Sequence, residues 1–174
     1  MHNKDYSANT DQELLRTLRL KFLKRAGWLR TSVGEIESVA SHSWGTAWLA
    51  LLTCPEGLCA ERVLKLALIH DLAEVVTGDI TPYDGIDAQE KAEMELSAFK
   101  DLTSALPKAA HLLDLFNEYQ ECRTPEAVFV HRCDKIDMKL QAEYYMREQP
   151  GLDLSEFIES ARTYLQRNTM NKEL

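Results

Sequence analysis

The sequence predicts an all-α protein, a single helical bundle of about six or seven helices. Apolar residues recur at helical spacing in one segment after another, and each of these segments is bounded by capping and breaking residues. No segment alternates with the two-residue period of a strand, and there is no repeat or low-complexity tract. At 174 residues the chain is most simply one domain, with residues 1–9 as a flexible lead-in and residues 10–174 as the folded unit.

The first helix is expected to open at Thr10, where Glu13 completes a capping box. It would carry Leu14, Leu15, Leu18 and Phe22 on one face and end near Gly27. A second helix spans about residues 38–53, with Val39, Ala40, Trp44, Ala47, Trp48, Leu51 and Leu52 available to pack. Cys54-Pro55-Glu56-Gly57 stops it. Residues 64–79 read as one buried helix, because apolar side chains cover most of its circumference and Gly78 stands where a C-terminal cap belongs. The turn-rich stretch from Gly78 to Gly85 is expected to be irregular.

Asp87 with Glu90 marks the next N-terminus, and Ala92, Leu96, Phe99, Leu102 and Leu106 follow at helical spacing until Pro107. Residues 108–119 form a further amphipathic helix that buries Leu112, Leu113, Leu115 and Phe116 and leaves His111 at the surface. Thr124-Pro125-Glu126 is a strong start, with Thr as N-cap and Pro at the first helical position, for a helix running to about Glu148. Asp153 with Glu156 opens a last helix bearing Phe157, Ile158, Ala161, Tyr164 and Leu165.

Composition restricts the partners. Hydrophobic residues make up 45% and charged residues 28%, and the formal net charge is -8, so the whole-surface field repels a nucleic-acid backbone. Small phosphorylated molecules remain open, since local Arg or Lys residues can hold one phosphate on an acidic protein. No run reaches the roughly 18 apolar residues a membrane span needs, and the first eleven residues lack an apolar signal core. The four cysteines show no C-x-x-C spacing. We therefore expect reduced thiols and a cytoplasmic protein without a membrane partner.

The chemistry concentrates in the segment of residues 64–79. His70, Asp71 and Glu74 interrupt its apolar surface, and on a continuous helix His70 and Glu74 share one face. Burying an imidazole beside two carboxylates requires compensation, and a divalent cation is one compensator. A site of nitrogen and oxygen donors would collect them from several helices. His42 lies one helix upstream, and Asp134 and Asp137 lie downstream at i and i+3, where helical periodicity does not choose between them. Arg25 presents a guanidinium fork suited to phosphate, and Trp28 can either pack in the core or form a wall for a base or sugar.

The order His42, His70-Asp71, Asp134 resembles the HD-domain metal-dependent phosphohydrolases. Arg25-Ala26-Gly27-Trp28, Glu37-Ser38-Val39-Ala40, His70-Asp71-Leu72-Ala73-Glu74 and Gly78-Asp79-Ile80 resemble the subgroup of YfbR-type 5′-deoxynucleotidases and their HD-domain relatives, over residues 18–145. Ser41 stands where that subgroup usually has an acidic residue, and Ala26 where it has Thr.

The resemblance implies His42, His70, Asp71 and Asp134 as metal ligands, Glu74 and Asp79 as catalytic residues, and Arg25, Trp28 and Asp79 as substrate contacts. It further implies Co²⁺ or Mn²⁺ as the ion, a nucleoside monophosphate as substrate and a homodimer. Fe, Ni and Zn also accept two imidazoles and two carboxylates. Three rivals stand beside this reading: a dNTP triphosphohydrolase on the same ligands, a catalytically silent nucleotide-binding relative, and a helical interaction protein without a site.

Overall fold

The computed structural model describes residues 8–169, and over them the chain is all-α. One isolated antiparallel bridge, Lys24 to Ser38, is the extended pairing among these residues. Of the lead-in expected over residues 1–9, residues 1–7 lie outside the described residues, and α1 (Ala8–Thr17) already begins at Ala8.

The first helix departs from expectation. Thr10 lies inside α1, and its hydroxyl donates to the Ala105 carbonyl at 3.0 Å instead of capping. A 3-10 turn (Leu18–Lys21) follows, and then the backbone extends, because Val39 N donates to Leu23 O at 2.8 Å and Arg25 N to Glu37 O at 3.2 Å. Those two bonds end the helix well before Gly27 and deliver Arg25 to the N-cap of a short α2 (Ala26–Leu29). Leu14, Leu15, Leu18 and Phe22 stay exposed, so the apolar face read there is not core.

The α3 helix (Val39–Thr53) starts as expected at Ser38, whose hydroxyl accepts the Ser41 amide at 3.1 Å. Its buried face, however, is Val39, His42, Ser43, Thr46 and Ala50. Trp44, Trp48, Leu51 and Leu52, expected to pack, are exposed.

The expected long helix of residues 64–79 is broken in two. The first piece, α4 (Ala60–Ile69), buries Val63, Leu66, Ala67 and Ile69. From Ile69 onward the ladder switches to i→i+3 bonds: Leu72 N to Ile69 O at 3.0 Å, Glu74 N to Asp71 O at 3.0 Å and Val75 N to Leu72 O at 3.3 Å. The His70 ring helps to cause the switch, because its Nδ1 lies 2.8 Å from the Ala67 carbonyl, the acceptor that the Asp71 amide would use in a continuous α-helix. A short α5 (Glu74–Thr77) then ends at Gly78, whose φ of 77° is the left-handed conformation that glycine accepts most cheaply.

Three of the remaining helices open at the predicted caps. Asp87 accepts the amides of Gln89 and Glu90, both at 2.9 Å, ahead of α6 (Ala88–Thr103). After α7 (Ala109–Gln120), Thr124 accepts the Ala127 amide at 3.2 Å and Pro125 is the first residue of α8 (Pro125–Glu148). Asp153 accepts the Ser155 amide at 3.0 Å at the start of α9 (Ser155–Thr169). His111 is exposed, as expected.

The centre of the bundle is α3, α4 and α8 packed on one another, with α6 and α7 covering one side and α9 lying along α8. The main core holds Val63, Leu66, Val130 and the stacked pair Phe99 and Phe116, with ring centroids 4.1 Å apart. A second cluster gathers Trp28, Val33, Ala142, Tyr145 and Leu154. A cleft of about 500 Å³ takes lining residues from both clusters. Among the described residues no helix is long and apolar enough to cross a membrane.

Candidate metal centre

Side chains from α3, from the end of α4 and from α8 meet around His42. His42, in the first turn of α3, is fully buried, and its Nε2 lies 3.2 Å from Asp134 Oδ1 and 3.5 Å from Asp71 Oδ2. His70 Nε2, at the end of α4, is 3.1 Å from the same Asp71 oxygen. Ligand atoms of His42, His70 and Asp71 all lie within 4.8 Å of one another. Asp134 comes from α8 and is buried, and Lys135 Nζ contacts its outer oxygen Oδ2 at 3.0 Å.

The hydrogen-bond account of these groups is incomplete in a revealing way. His42 Nε2, His70 Nε2, Asp71 Oδ2 and Glu74 Oε2 are buried without a hydrogen-bond partner. Leaving one buried polar atom unsatisfied costs about 1–3 kcal/mol, so several together call for a ligand. The carbonyl of Ala67 can only accept, which puts the His70 proton on Nδ1 and leaves the Nε2 lone pair facing the cluster. Two imidazole nitrogens and carboxylate oxygens without a thiolate suit a divalent transition metal. The residues present therefore fit the ion that the sequence implies.

Electrostatics point the same way. Burial disfavours a charged Arg25, but Asp79, Asp71, Glu74 and Asp134 outweigh it and hold the guanidinium protonated. Arg25 Nη1 lies 3.7 Å from both Asp71 Oδ2 and Asp79 Oδ2. Burial likewise opposes ionised Asp71, yet His70, His42 and Arg25 keep its carboxyl far below the usual range. Asp134 is depressed in the same manner, with Lys135 and His42 overcoming burial. Glu74 goes the other way, because burial and then the charges of Asp71 and Asp79 push it well above an ordinary glutamate. Burial and Arg25 push His42 down, but Asp134, Asp137 and Asp71 prevail and raise the imidazole from 6.5 to about 9.

The other sequence-derived candidates sit around this point. Asp79 Oδ2 accepts the Ala26 amide at 2.8 Å, tying the loop after α5 to the start of α2 and so fixing Arg25. Trp28 is buried, donates from Nε1 to Glu37 Oε1 at 2.8 Å and packs on Phe157 at 4.3 Å, with part of its surface lining the cleft. Glu74 lies at the first position of α5, and its amide donates to Asp71 O, not to His70 O as it would in one continuous helix. Asp137 stands apart from Asp134, on the far side of the His42 ring, with Oδ2 2.7 Å from Nδ1.

No motif in the sequence marks Lys91, Glu95 and Gln120 as lining the cleft. One wall carries Lys91, Glu95 and Gln120, where Gln120 Nε2 donates to Glu95 Oε2 at 2.7 Å. At the rim the Arg30 guanidinium stacks 3.3 Å over the Tyr83 ring, and both side chains reach Glu156. The buried glutamate on α6 was the visible signal, since Glu95 falls on the same helical face as Phe99 and Leu102.

His42, His70 and Asp71 thus share one buried point inside a helical bundle, with Asp134 against His42, in the order of the motifs singled out in the sequence. The chain belongs to the HD domain family, whose model matches residues 17–172. The match runs through α9, beyond the residues 18–145 over which the motifs carry the resemblance. Within that family the chain is 38% identical over 162 residues to mouse 5′-deoxynucleotidase HDDC2, covering 88% of this chain and 81% of the mouse protein. It is also 38% identical over 146 residues to 5′-deoxynucleotidase hdd1 of Schizosaccharomyces pombe, covering 80% of this chain and 74% of the yeast protein. Among solved structures, the PH0347 protein of Pyrococcus horikoshii superposes with a TM-score of 0.75 at 35% identity, over 86% of each chain.

Proposed function

We propose that this protein is a metal-dependent phosphohydrolase that removes the 5′-phosphate from deoxyribonucleoside monophosphates. The observation that carries this reading is the convergence of three unpartnered buried ligand atoms, from His42, His70 and Asp71, beside the permanently charged Arg25. The names of the relatives at 38% identity support the substrate class. His42, His70, Asp71 and Asp134 would hold one divalent ion, Co²⁺ or Mn²⁺ in preference, with Fe, Ni and Zn compatible with the donor set. When bound, that ion supplies a water of lowered pKa and stabilises charge on the phosphoryl oxygens.

The chain's own groups have separate tasks in this reading. Arg25 binds the phosphate, a role that its pre-set charge and its anchoring through Ala26 and Asp79 suit. Glu74, whose carboxyl burial and its acidic neighbours push well above an ordinary glutamate, is the group to donate a proton to the 5′ oxygen as the P–O bond breaks. Water adds its oxygen and one hydrogen to phosphorus, its other proton restores Glu74, and the products are inorganic phosphate and the deoxynucleoside. Asp79 has one oxygen engaged with Ala26 and the other to offer a sugar hydroxyl, while Trp28 supports the wall beside it.

Charge in the cleft favours a monoester over a triphosphate. Arg25, Arg30, Lys91 and Lys135 line it, and each is already within ion-pair distance of a carboxylate. A tetraanionic chain would find little uncompensated positive charge there, and each close like-charge contact costs about a kcal/mol or more at a partly solvated site. Turnover of dAMP and dATP at equal concentration with excess Mn²⁺ or Co²⁺ tests this. Release of phosphate from dAMP is the expected result; conversion of dATP to deoxyadenosine and tripolyphosphate with dAMP untouched overturns it.

We further propose that the protein works as a homodimer in the cytoplasm. Trp44, Trp48, Leu51 and Leu52 form an exposed apolar face on α3 that a second copy would cover. All four cysteines are free, which suits a reducing compartment.

A further inference from the structure

Asp137 and Gly45 lie outside the ligand set, yet they meet at the back of His42. The His42 ring presents Nε2 to Asp71 and Asp134, and its Nδ1 lies 2.7 Å from Asp137 Oδ2. A carboxylate on Nδ1 keeps a proton on that nitrogen, so the lone pair that can bind an ion is the one on Nε2. The carboxylate also fixes the ring plane, which a fully buried imidazole with no other partner on Nδ1 would otherwise lack.

Gly45 explains how Asp137 fits. A Cβ at position 45 would fall 2.1 Å from Asp137 Oδ1, 2.9 Å from Cγ and 3.2 Å from Oδ2. Glycine in the middle of a helix is unfavourable relative to alanine, so its presence there needs a cause. Backbone freedom is not the cause: the glycines with positive φ are Gly57, Gly78, Gly85 and Gly151, and Gly45 is not among them. Space for the carboxylate is.

We infer that Asp137 is a positioning residue that sets the orientation and proton placement of His42 for metal binding, and that Gly45 is required because its missing side chain makes room for that carboxylate. This rests on the metal-centre reading above. The test is the affinity for Mn²⁺ alone, measured by competition with a chromophoric chelator, with thermal melting of each metal-free variant alongside. Asp137→Ala should weaken Mn²⁺ binding about 10–100-fold, the usual range for loss of a partner behind a ligating histidine. Asp137→Asn should lose much less, because its amide oxygen still accepts from Nδ1–H.

Gly45→Ala should reproduce the Asp137→Ala loss, and the double variant should bind no worse than the weaker single variant, because both act through the same carboxylate. Wild-type affinity in Asp137→Ala overturns the inference, and so does a double variant whose loss is the product of the two single losses. Loss of Mn²⁺ in Asp71→Ala with full retention in Asp137→Ala overturns this inference and leaves the metal-centre reading standing. A wild-type protein that binds no Mn²⁺ overturns both.

Discussion

Helices α3 and α4 pack against each other and distribute their side chains in opposite ways. The inner face of α4 is Val63, Leu66, Ala67 and Ile69, an ordinary core surface. The inner face of α3 instead carries His42, Ser43 and Thr46 beside Val39 and Ala50, and its bulkiest apolar residues, Trp44, Trp48, Leu51 and Leu52, point away. Hydrophobic periodicity marks a helix's core side only when that side has no chemical task. On α3 the inner positions serve His42 and its surroundings, so the apolar stripe marks the exposed side of the helix.

Substitutions on the two helices should separate these tasks. The largest effect is expected at the cluster where they meet: Asp71→Ala should lower phosphate release from dAMP by about three orders of magnitude or more and abolish bound metal in elemental analysis. Full metal occupancy in that variant would refute the ligand assignment. On the core side, Leu66→Ala should cost about 2–5 kcal/mol in denaturant unfolding, as a fully buried leucine does, while the folded fraction keeps its turnover. Loss of turnover without loss of stability would mean that α4's apolar face is part of the site.

A third effect follows from His42. Its folded pKa is raised from 6.5 to about 9, so protonation stabilises the metal-free protein fully below about 6.5 and that contribution is lost as pH rises through about 9. Metal must displace that proton, so Mn²⁺ affinity should rise about tenfold per pH unit towards 9 and then level off. An affinity that stays flat between pH 6.5 and 9 would show that no proton leaves His42. The smallest effect on folding is expected on the outer face of α3, where Trp44→Ser with Trp48→Ser should change stability by only about 0.5 kcal/mol. Sedimentation should nevertheless shift from dimer to monomer, and an unchanged dimer would place the interface elsewhere.

The sequence was most legible where the controlling interaction is local. Ser38, Asp87, Thr124 and Asp153 accept backbone amides two or three residues on, and Gly78 takes a positive φ, all within reach of a short window. The donors of the cluster were legible as an ordered set of residue types. Their geometry was not, because it depends on contacts between distant segments. The break after Ile69 comes with a side chain that competes for a backbone carbonyl, and the early end of the first helix with pairing between residues 23–25 and 37–39. Periodicity left Asp134 and Asp137 equivalent, and only the packing of α8 on α3 sends them to opposite nitrogens of one ring. Lys91, Glu95 and Gln120 reach the cleft through tertiary placement alone, with no motif around them.

Those two aspartates have a mechanical consequence. Spaced one helical turn apart on α8, they grip the His42 ring from both sides like the jaws of a caliper. The rise of an α-helix is about 1.5 Å per residue, so an axial slip of α8 against α3 by a single residue would open at least one jaw. The imidazole therefore gauges the alignment of α3 and α8, the two helices that pack most extensively on each other.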